Sequence, residues 1–200
     1  MRQLLDPFLS GKELDQQQLE KIGAFVELLQ RWNEKTNLTA IRGEEEIITR
    51  HFGESFFLAS QLCEPQQVFS AIDFGSGAGF PGIPLAMYAP LARVTLIEAQ
   101  NKKATFLKEA VRALALKNVN VFAGRGETFN GAANLVTLRA VEKFKQSAAA
   151  AAKLVLPGGR MGLLIAKEQV DAAKTIAGMS WEAPIKVPNS QELVLLVGRG

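Results

Sequence analysis

Between Ala71 and Gly82 the chain reads AIDFGSGAGFPG, an apolar run that passes through alternating glycines into a helix-compatible segment. Val68, Phe69, Ala71, Ile72 and Phe74 make the short, nearly continuous apolar stretch of a central parallel strand covered on both faces. Gly75, Gly77 and Gly79 then permit a sharp turn and a close approach of backbone to ligand, because no Cβ intervenes. Pro81 and Pro84 suit the first turn of a following helix, where a missing N–H costs little. Strand, glycine turn and helix in that order make a nucleotide-cofactor loop and predict an α/β fold.

Two cofactors fit such a loop. Gly77, Gly79 and Gly82 also satisfy the dinucleotide pattern GxGxxG, with Glu98 about twenty residues further on. Asp73, at the carboxyl end of the strand, separates them: a carboxylate there repels a pyrophosphate but attracts the ammonium and sulfonium of S-adenosylmethionine. S-adenosylmethionine is therefore the favoured cofactor, with Asp73 expected to face its cation and Gly75, Gly77 and Gly79 to frame the loop.

Two hundred residues suffice for one α/β domain plus a short extension. At 48% hydrophobic and 22% charged the composition is ordinary, and no apolar run approaches a membrane span. The segment MRQLLDPFLSGKELD places acids and Pro7 where a signal peptide needs its apolar region, so the chain reads as cytoplasmic. Cys63 is the single cysteine, which excludes an internal disulfide and a cysteine-based zinc site, and it is expected as a small buried residue near a helix end. A net charge of +3 permits a polyanionic partner without requiring one.

Leu19, Ile22, Phe25, Val26, Leu29 and Trp32 recur at helical spacing, predicting an amphipathic helix from about residue 15, with Asp15 as N-cap. A polar turn, NEKTNLT, separates it from a helix starting near Gly43, whose inner face is Ile48, Phe52, Ser55, Phe56, Ala59 and Leu62. His51, the only histidine, lies at the edge of that face; a packed structural role is favoured there over a substrate contact. After the glycine loop come a strand, Val94 to Glu98, a helix opened by Lys102 and Lys103 with Leu107, Ala110, Val111 and Leu114 facing the sheet, and a strand, Val119 to Phe122. Glu98 is placed to accept both ribose hydroxyls, and Gly126 and Glu127 to lie beside the adenine. A strand from Leu135 to Leu138 is followed by Arg139, then by a helix from Glu142 to Leu154, an LPGGR turn, a strand from Arg160 to Ala166 and a helix from about Glu168. Trp181 to Val187 and Glu192 to Val197 close the sheet as an antiparallel pair at its edge. The organisation expected is a helical extension, 1–65, packed on a mostly parallel α/β domain, 66–200.

The residues after the fourth strand, LRAVEK, lack the Asn or Asp, two prolines and aromatic used to methylate exocyclic amines. Carbon-5 methylation of a pyrimidine needs a cysteine nucleophile, and Cys63 lies outside the cofactor core. A ring nitrogen with a free lone pair needs neither, only alignment and desolvation.

RWNEKTNLTAI at 31–41, RHFGES at 50–55, DFGSGAGFPGIPLA at 73–86 and LRAV at 138–141 together resemble the bacterial rRNA guanine-N7 methyltransferase family RsmG, once called GidB. The resemblance covers nearly the whole chain. It implies a Rossmann-like S-adenosylmethionine-dependent methyltransferase fold and methylation of nitrogen 7 of one guanine in the decoding-region loop of 16S rRNA. It also implies that Gly75 and Phe80 contact cofactor, that Gly126 and Glu127 are the adenine-side pair, and that Arg139 is the family arginine, expected to bind cofactor and to have a positioning role. Arg31, Lys35, Asn37, His51 and Lys167 are the residues expected to meet RNA, as naked rRNA or a small-subunit particle, in a monomer without metal. This chain departs from the family pattern at Glu54, usually Asp, at Leu138, usually Ser, at Glu168, commonly Gly, and in PNSQELVLLV, which lacks a basic residue before the last strand. A small-molecule methyltransferase and a non-catalytic cofactor-binding protein that contacts RNA are the alternatives, with an oxidoreductase a minor one.

Overall fold

The computed structural model describes residues 1–141 and 143–200. Helix α1 (Arg2–Leu5) and a 3-10 turn, Asp6–Phe8, lead to α2 (Gln16–Asn33). The long helix starts where its sequence predicts, because Asp15 and Gln18 cap each other. Gln18 N donates to Asp15 Oδ1 at 2.7 Å, and Asp15 N donates to Gln18 Oε1 at 2.8 Å. Ile22, Phe25, Val26 and Leu29 form its buried stripe.

The helix expected from Gly43 is built in three pieces: α3 (Glu44–Glu46), a π-helical segment Ile47–Gly53, and α4 (Glu54–Leu62). The wider winding turns the inner face, so that Phe52, Gly53, Glu54, Ser55, Phe56, Phe57 and Leu58 are buried in succession. A fixed period of 3.6 predicts only part of that set and leaves Glu54 outside. Gly53 is required by the packing: a Cβ there would stand 2.6 Å from the Phe8 ring. Cys63 is buried at the end of α4, where Sγ donates to the Ala59 carbonyl at 3.2 Å; burial pushes its thiol up to about 12, as suits a packing role.

Among the described residues one sheet holds β1 (Ser70–Phe74), β2 (Arg93–Glu98), β3 (Val119–Ala123), β4 (Ala133–Arg139), β5 (Val155–Ala166), β6 (Ser180–Trp181), β7 (Ile185–Lys186) and β8 (Leu193–Arg199). Its order is β3-β2-β1-β4-β5-β8-β6, with β7 also paired to β8. The first five strands are parallel to their neighbours, and β8 runs antiparallel to β5. From β1 the chain moves outward through β2 and β3, then returns to β4 on the other side. The crevice between β1 and β4 is therefore a topological switch point, where open α/β sheets bind ligands.

Helices α5 (Gly82–Tyr88) and α6 (Asn101–Ala113) cover one face; α7 (Phe144–Ala152) and α8 (Val170–Lys174) cover the other. The apolar cluster under α5 and α6 also contains Leu5, Phe25 and Phe52, so the core of the extension runs into that of the sheet.

Several boundaries differ from expectation. Val68 is 73% exposed, and the buried run starts at Phe69. Pro81 stands at the N-cap of α5, one residue before the first turn that holds Pro84. Leu156 to Gly159 is not a turn but an irregular part of β5, opposite a register shift at Ala133 and Leu135; Gly158 takes the kink with φ +73°. The closing segment Trp181 to Val187 forms two short strands on β8, so β8 itself is internal to the sheet. Arg139 ends β4, and α7 begins at Phe144; Glu142, where the sequence places the start of that helix, lies outside the described residues. No helix among the described residues is long and apolar enough to cross a membrane.

Candidate active site

A cavity of about 520 Å³ opens at the carboxyl ends of β1, β2 and β4. The loop after β1 forms one wall. Ser76 ties it to both strands, donating its N–H to the Ile97 carbonyl and its Oγ–H to the Asp73 carbonyl, each at 2.9 Å. Gly75 and Gly77 line the cavity with φ of +72° and +56°. Gly79, at φ +91°, does not line it; a Cβ there would meet Ile83 at 2.7 Å and Leu107 at 3.3 Å, so this glycine serves helix packing.

The two acids read from the sequence occupy different layers. Asp73 has no exposed surface and does not line the cavity. Its Oδ2 accepts the Gly82 N–H at 3.1 Å and its Oδ1 the Thr137 hydroxyl at 2.9 Å, so it braces β1 to α5 and β4 behind the loop. The structure therefore does not present its carboxylate to a cofactor cation, because the side chain is fully buried behind the loop and turned toward α5 and β4. Glu98 does line the cavity; it accepts the Gly77 N–H at 2.8 Å and the Gln100 N–H at 2.7 Å. A carboxylate oxygen has a second lone pair, so Glu98 keeps acceptor capacity for a diol.

Burial pushes the Asp73 carboxyl up to about 6. An unfolded aspartate titrates near 3.9. Between those values the native state holds a proton that the unfolded state has released, so this contribution to stability is full below about pH 4 and is lost as pH rises through 6. Asparagine can keep both bonds, accepting from Gly82 and donating to the Thr137 oxygen. The unfolding free energy of Asp73→Asn minus that of the parent should rise by roughly 2–3 kcal/mol from pH 4 to pH 7 in urea titrations. A difference independent of pH would contradict the buried, proton-holding role.

The opposite wall comes from the helical extension. His51 stacks on Phe80 with ring centroids 4.7 Å apart and planes at 23°, and Phe25 and Phe52 meet Phe80 edge to face at 5.4 Å and 5.2 Å. His51 and Phe80 both line the cavity. His51 Nε2 lies 2.8 Å from Thr39 Oγ1. Burial, reinforced by Arg139 and Arg50, lowers its pKa to about 3, so the imidazole is neutral.

Arg139 lines the cavity from the end of β4. Its Nη2 contacts the Glu54 carboxylate and donates to the Arg50 carbonyl at 2.7 Å, and its Nη1 donates to the His51 carbonyl at 3.5 Å. The pair is largely sequestered, at 12% and 7% side-chain exposure. Burial pushes the Glu54 carboxyl up, against the pull of Arg139 and Arg50, and the same burial pulls Arg139 down. The sequence marks Glu54 only as a departure from the family pattern; the π-helical winding just before it turns it inward, which a fixed period does not predict.

The WNEKTNLT motif is structural scaffolding for this wall. Buried Asn33 accepts the N–H groups of Leu38 and Thr39 through Oδ1 and donates to the Thr39 carbonyl at 2.9 Å, closing the loop that carries Thr39 to His51. In the sequence Asn33 and Thr39 are marked only by the polar turn and by the RWNEKTNLTAI motif that carries the family resemblance, neither of which states this role. Asn37 accepts from Arg42 at 3.3 Å and is not in the cavity.

Gly126 and Glu127, in a 3-10 turn after β3, line the far end. Gly126 packs directly on Phe74; a Cβ would fall 2.1 Å from that ring. Lys103, Arg125 and Lys143 bring cationic side chains to the lining. Arg31 and Lys35 are exposed on α2 and its end, outside the cavity, and exposed Lys167 pairs with Glu192 at 2.9 Å. Among the described residues no group of three or more His, Cys, Asp and Glu side chains is placed to hold a metal ion.

A parallel sheet of this order, with a glycine loop and cavity at its switch point, is the fold of the Rossmann-like methyltransferases. The structure of M. jannaschii TYW2 in complex with AdoMet matches it with TM-score 0.56 and 18% identity, covering 74% of this chain and 74% of that one. Residues 18–188 match the family described as GidB, rRNA small subunit methyltransferase G. Two relatives named ribosomal RNA small subunit methyltransferase G carry the likeness almost end to end. That of Roseiflexus castenholzii is 36% identical over 201 residues, 94% of this chain and 85% of the relative. That of Stenotrophomonas maltophilia is 34% identical over 205 residues, 97% and 93% of the two. The chain belongs to the GidB family of ribosomal RNA small-subunit methyltransferases.

Proposed function

We propose that this protein forms 7-methylguanosine at one guanine in the decoding-region loop of 16S rRNA, with S-adenosylmethionine as methyl donor. The observation that carries this reading is the cavity itself, walled on one side by the glycine loop, Glu98 and Gly126 and on the other by Phe80, His51 and Arg139. The first wall suits the donor. Gly75 and Gly77 admit it to the backbone, Glu98 offers acceptors to a ribose diol, and Gly126 and Glu127 face the adenine, while Asp73 and Gly79 support the loop from behind. S-adenosylmethionine supplies an electrophilic methyl group when bound. Family membership and the AdoMet complex of M. jannaschii TYW2 support the assignment.

Nitrogen 7 of guanine carries a lone pair and no proton, so its attack needs no general base. A neutral His51 and a cavity arginine fit that requirement: the protein aligns the acceptor, excludes water and stabilises shifting charge. Residues 1–65 act as a helical extension of a methyltransferase domain, 66–200, in a monomeric cytoplasmic protein.

Undermethylated small subunits should accept labelled methyl in a single turnover, and 7-methylguanosine at one 16S position should be absent from cells lacking the gene. Label on metabolites, or cofactor binding without any labelled RNA, would reject the reading. We assign Arg31, Lys35, Asn37 and Lys167 to the RNA outside the cavity, with His51 at its wall. RNA affinity should then fall with salt through counterion release, and removing the charges of Arg31 and Lys35 should flatten that slope by roughly one phosphate contact per side chain. A slope equal to the parent's would remove both from the interface.

A further inference from the structure

Arg139 borders the cavity, but what holds it there comes from another part of the chain. Its anchors are the Glu54 carboxylate, 85 residues away in sequence, and the carbonyls of Arg50 and His51. Both carbonyls belong to the π-helical segment, a kind of helical irregularity frequent at functional sites. Glu54 itself is buried and does not line the cavity. Among the described residues it is the one buried carboxylate of the helical extension; the others, Asp73 and Glu98, belong to the sheet.

An arginine side chain has many rotamers, and a guanidinium useful for alignment must keep one of them. Glu54 offers the planar acceptor that selects that rotamer, and the two carbonyls fix the plane's tilt. We infer that Glu54 is a positioning residue for methyl transfer: acting through Arg139, it lets the helical extension set the geometry of the site it borders. The inference rests on the methyl-transfer reading above. A purely structural pair would tie the extension to the sheet and leave the rate of the correctly folded protein unchanged.

A double-mutant cycle separates the two roles. Single-turnover methyl transfer to undermethylated small subunits is measured at saturating S-adenosylmethionine for the parent, Glu54→Gln, Arg139→Ala and the double variant, with thermal unfolding as the check of fold. Glu54→Gln should slow transfer roughly 10- to 100-fold, the scale of a small misplacement at a reacting site. In the Arg139→Ala background the same change should alter the rate by no more than about twofold, the scatter of independent sites. An equal slowdown in both backgrounds, or a parental rate in Glu54→Gln, would overturn the inference. Where Arg139→Ala falls below detection, Arg139→Met takes its place, and where Glu54→Gln does not fold, Glu54→Met replaces it, each removing one charge of the pair, with the same non-additivity expected. A parent that transfers no methyl to any small subunit would instead defeat the proposed function.

Discussion

Arg139→Ala should destabilise the protein by about 3–5 kcal/mol at neutral pH, the cost of stranding one member of a buried ion pair. The side chain it removes serves three acceptors: the Glu54 carboxylate and the carbonyls of Arg50 and His51. Glu54, at 7% side-chain exposure, cannot turn to water without moving the π-helical segment. Its carboxyl is already pushed up by burial in the intact protein, and loss of the opposing cation raises it further. A raised acid stabilises the native state below its unfolded pKa, and that contribution is lost as pH rises through the folded value. The deficit of Arg139→Ala should therefore shrink on acidification from pH 7 toward pH 4, and adding Glu54→Gln should recover part of it at pH 7. Urea unfolding of the two variants and the parent at both pH values measures this. A deficit that stays constant with pH would show that Glu54 is not left as a buried charge. The methyl-transfer rate should be low at every pH, since no proton passes through the guanidinium.

The glycine loop, the strand sequence and the cofactor edge of the sheet were legible because they depend on local chemistry: glycines where φ is positive, an apolar run where both faces are covered, an acid closing β2. The roles of the acids were harder to read. Asp73 and Glu98 both end strands near the loop, yet Asp73 points back into the sheet toward Thr137 while Glu98 faces the cavity. Strand position alone does not distinguish these orientations, because a residue's partner comes from another strand. Glu54 stands out in the sequence only as a departure from the family's usual Asp, and its burial was hidden for a different reason. The amphipathic period holds only while the helix winds at 3.6 residues per turn, and the π-helical segment breaks it between Ile47 and Gly53. Lys103, Arg125 and Lys143 reach the cavity from separate elements, so no spacing in the sequence joins them.

The rate of methyl transfer should show no step near pH 6.5, the ordinary value for histidine. His51 is the one histidine of the chain and lines the cavity, which makes it the natural candidate for a base. Its surroundings oppose that role. Burial lowers its pKa to about 3, and the cations Arg139 and Arg50 add to the effect. From pH 5.5 to 8.5, roughly one to two units either side of the solution value, the ring stays neutral and its state does not change. The same displacement appears in stability with a definite sign. Below pH 6.5 the unfolded chain takes up a proton that the native state refuses, so this contribution is full above 6.5 and is lost as pH falls toward 3. Between pH 6.5 and 4.5 it should remove roughly 2–3 kcal/mol, and His51→Gln should abolish that part of the acid sensitivity. Urea titrations of parent and variant across this range give the difference directly. Single-turnover transfer supplies the functional half: the His51→Gln rate should differ from the parent's by a factor independent of pH. A parent rate that climbs through pH 6.5, beside a variant rate that is low and flat, would show His51 taking a proton and would end the base-free mechanism.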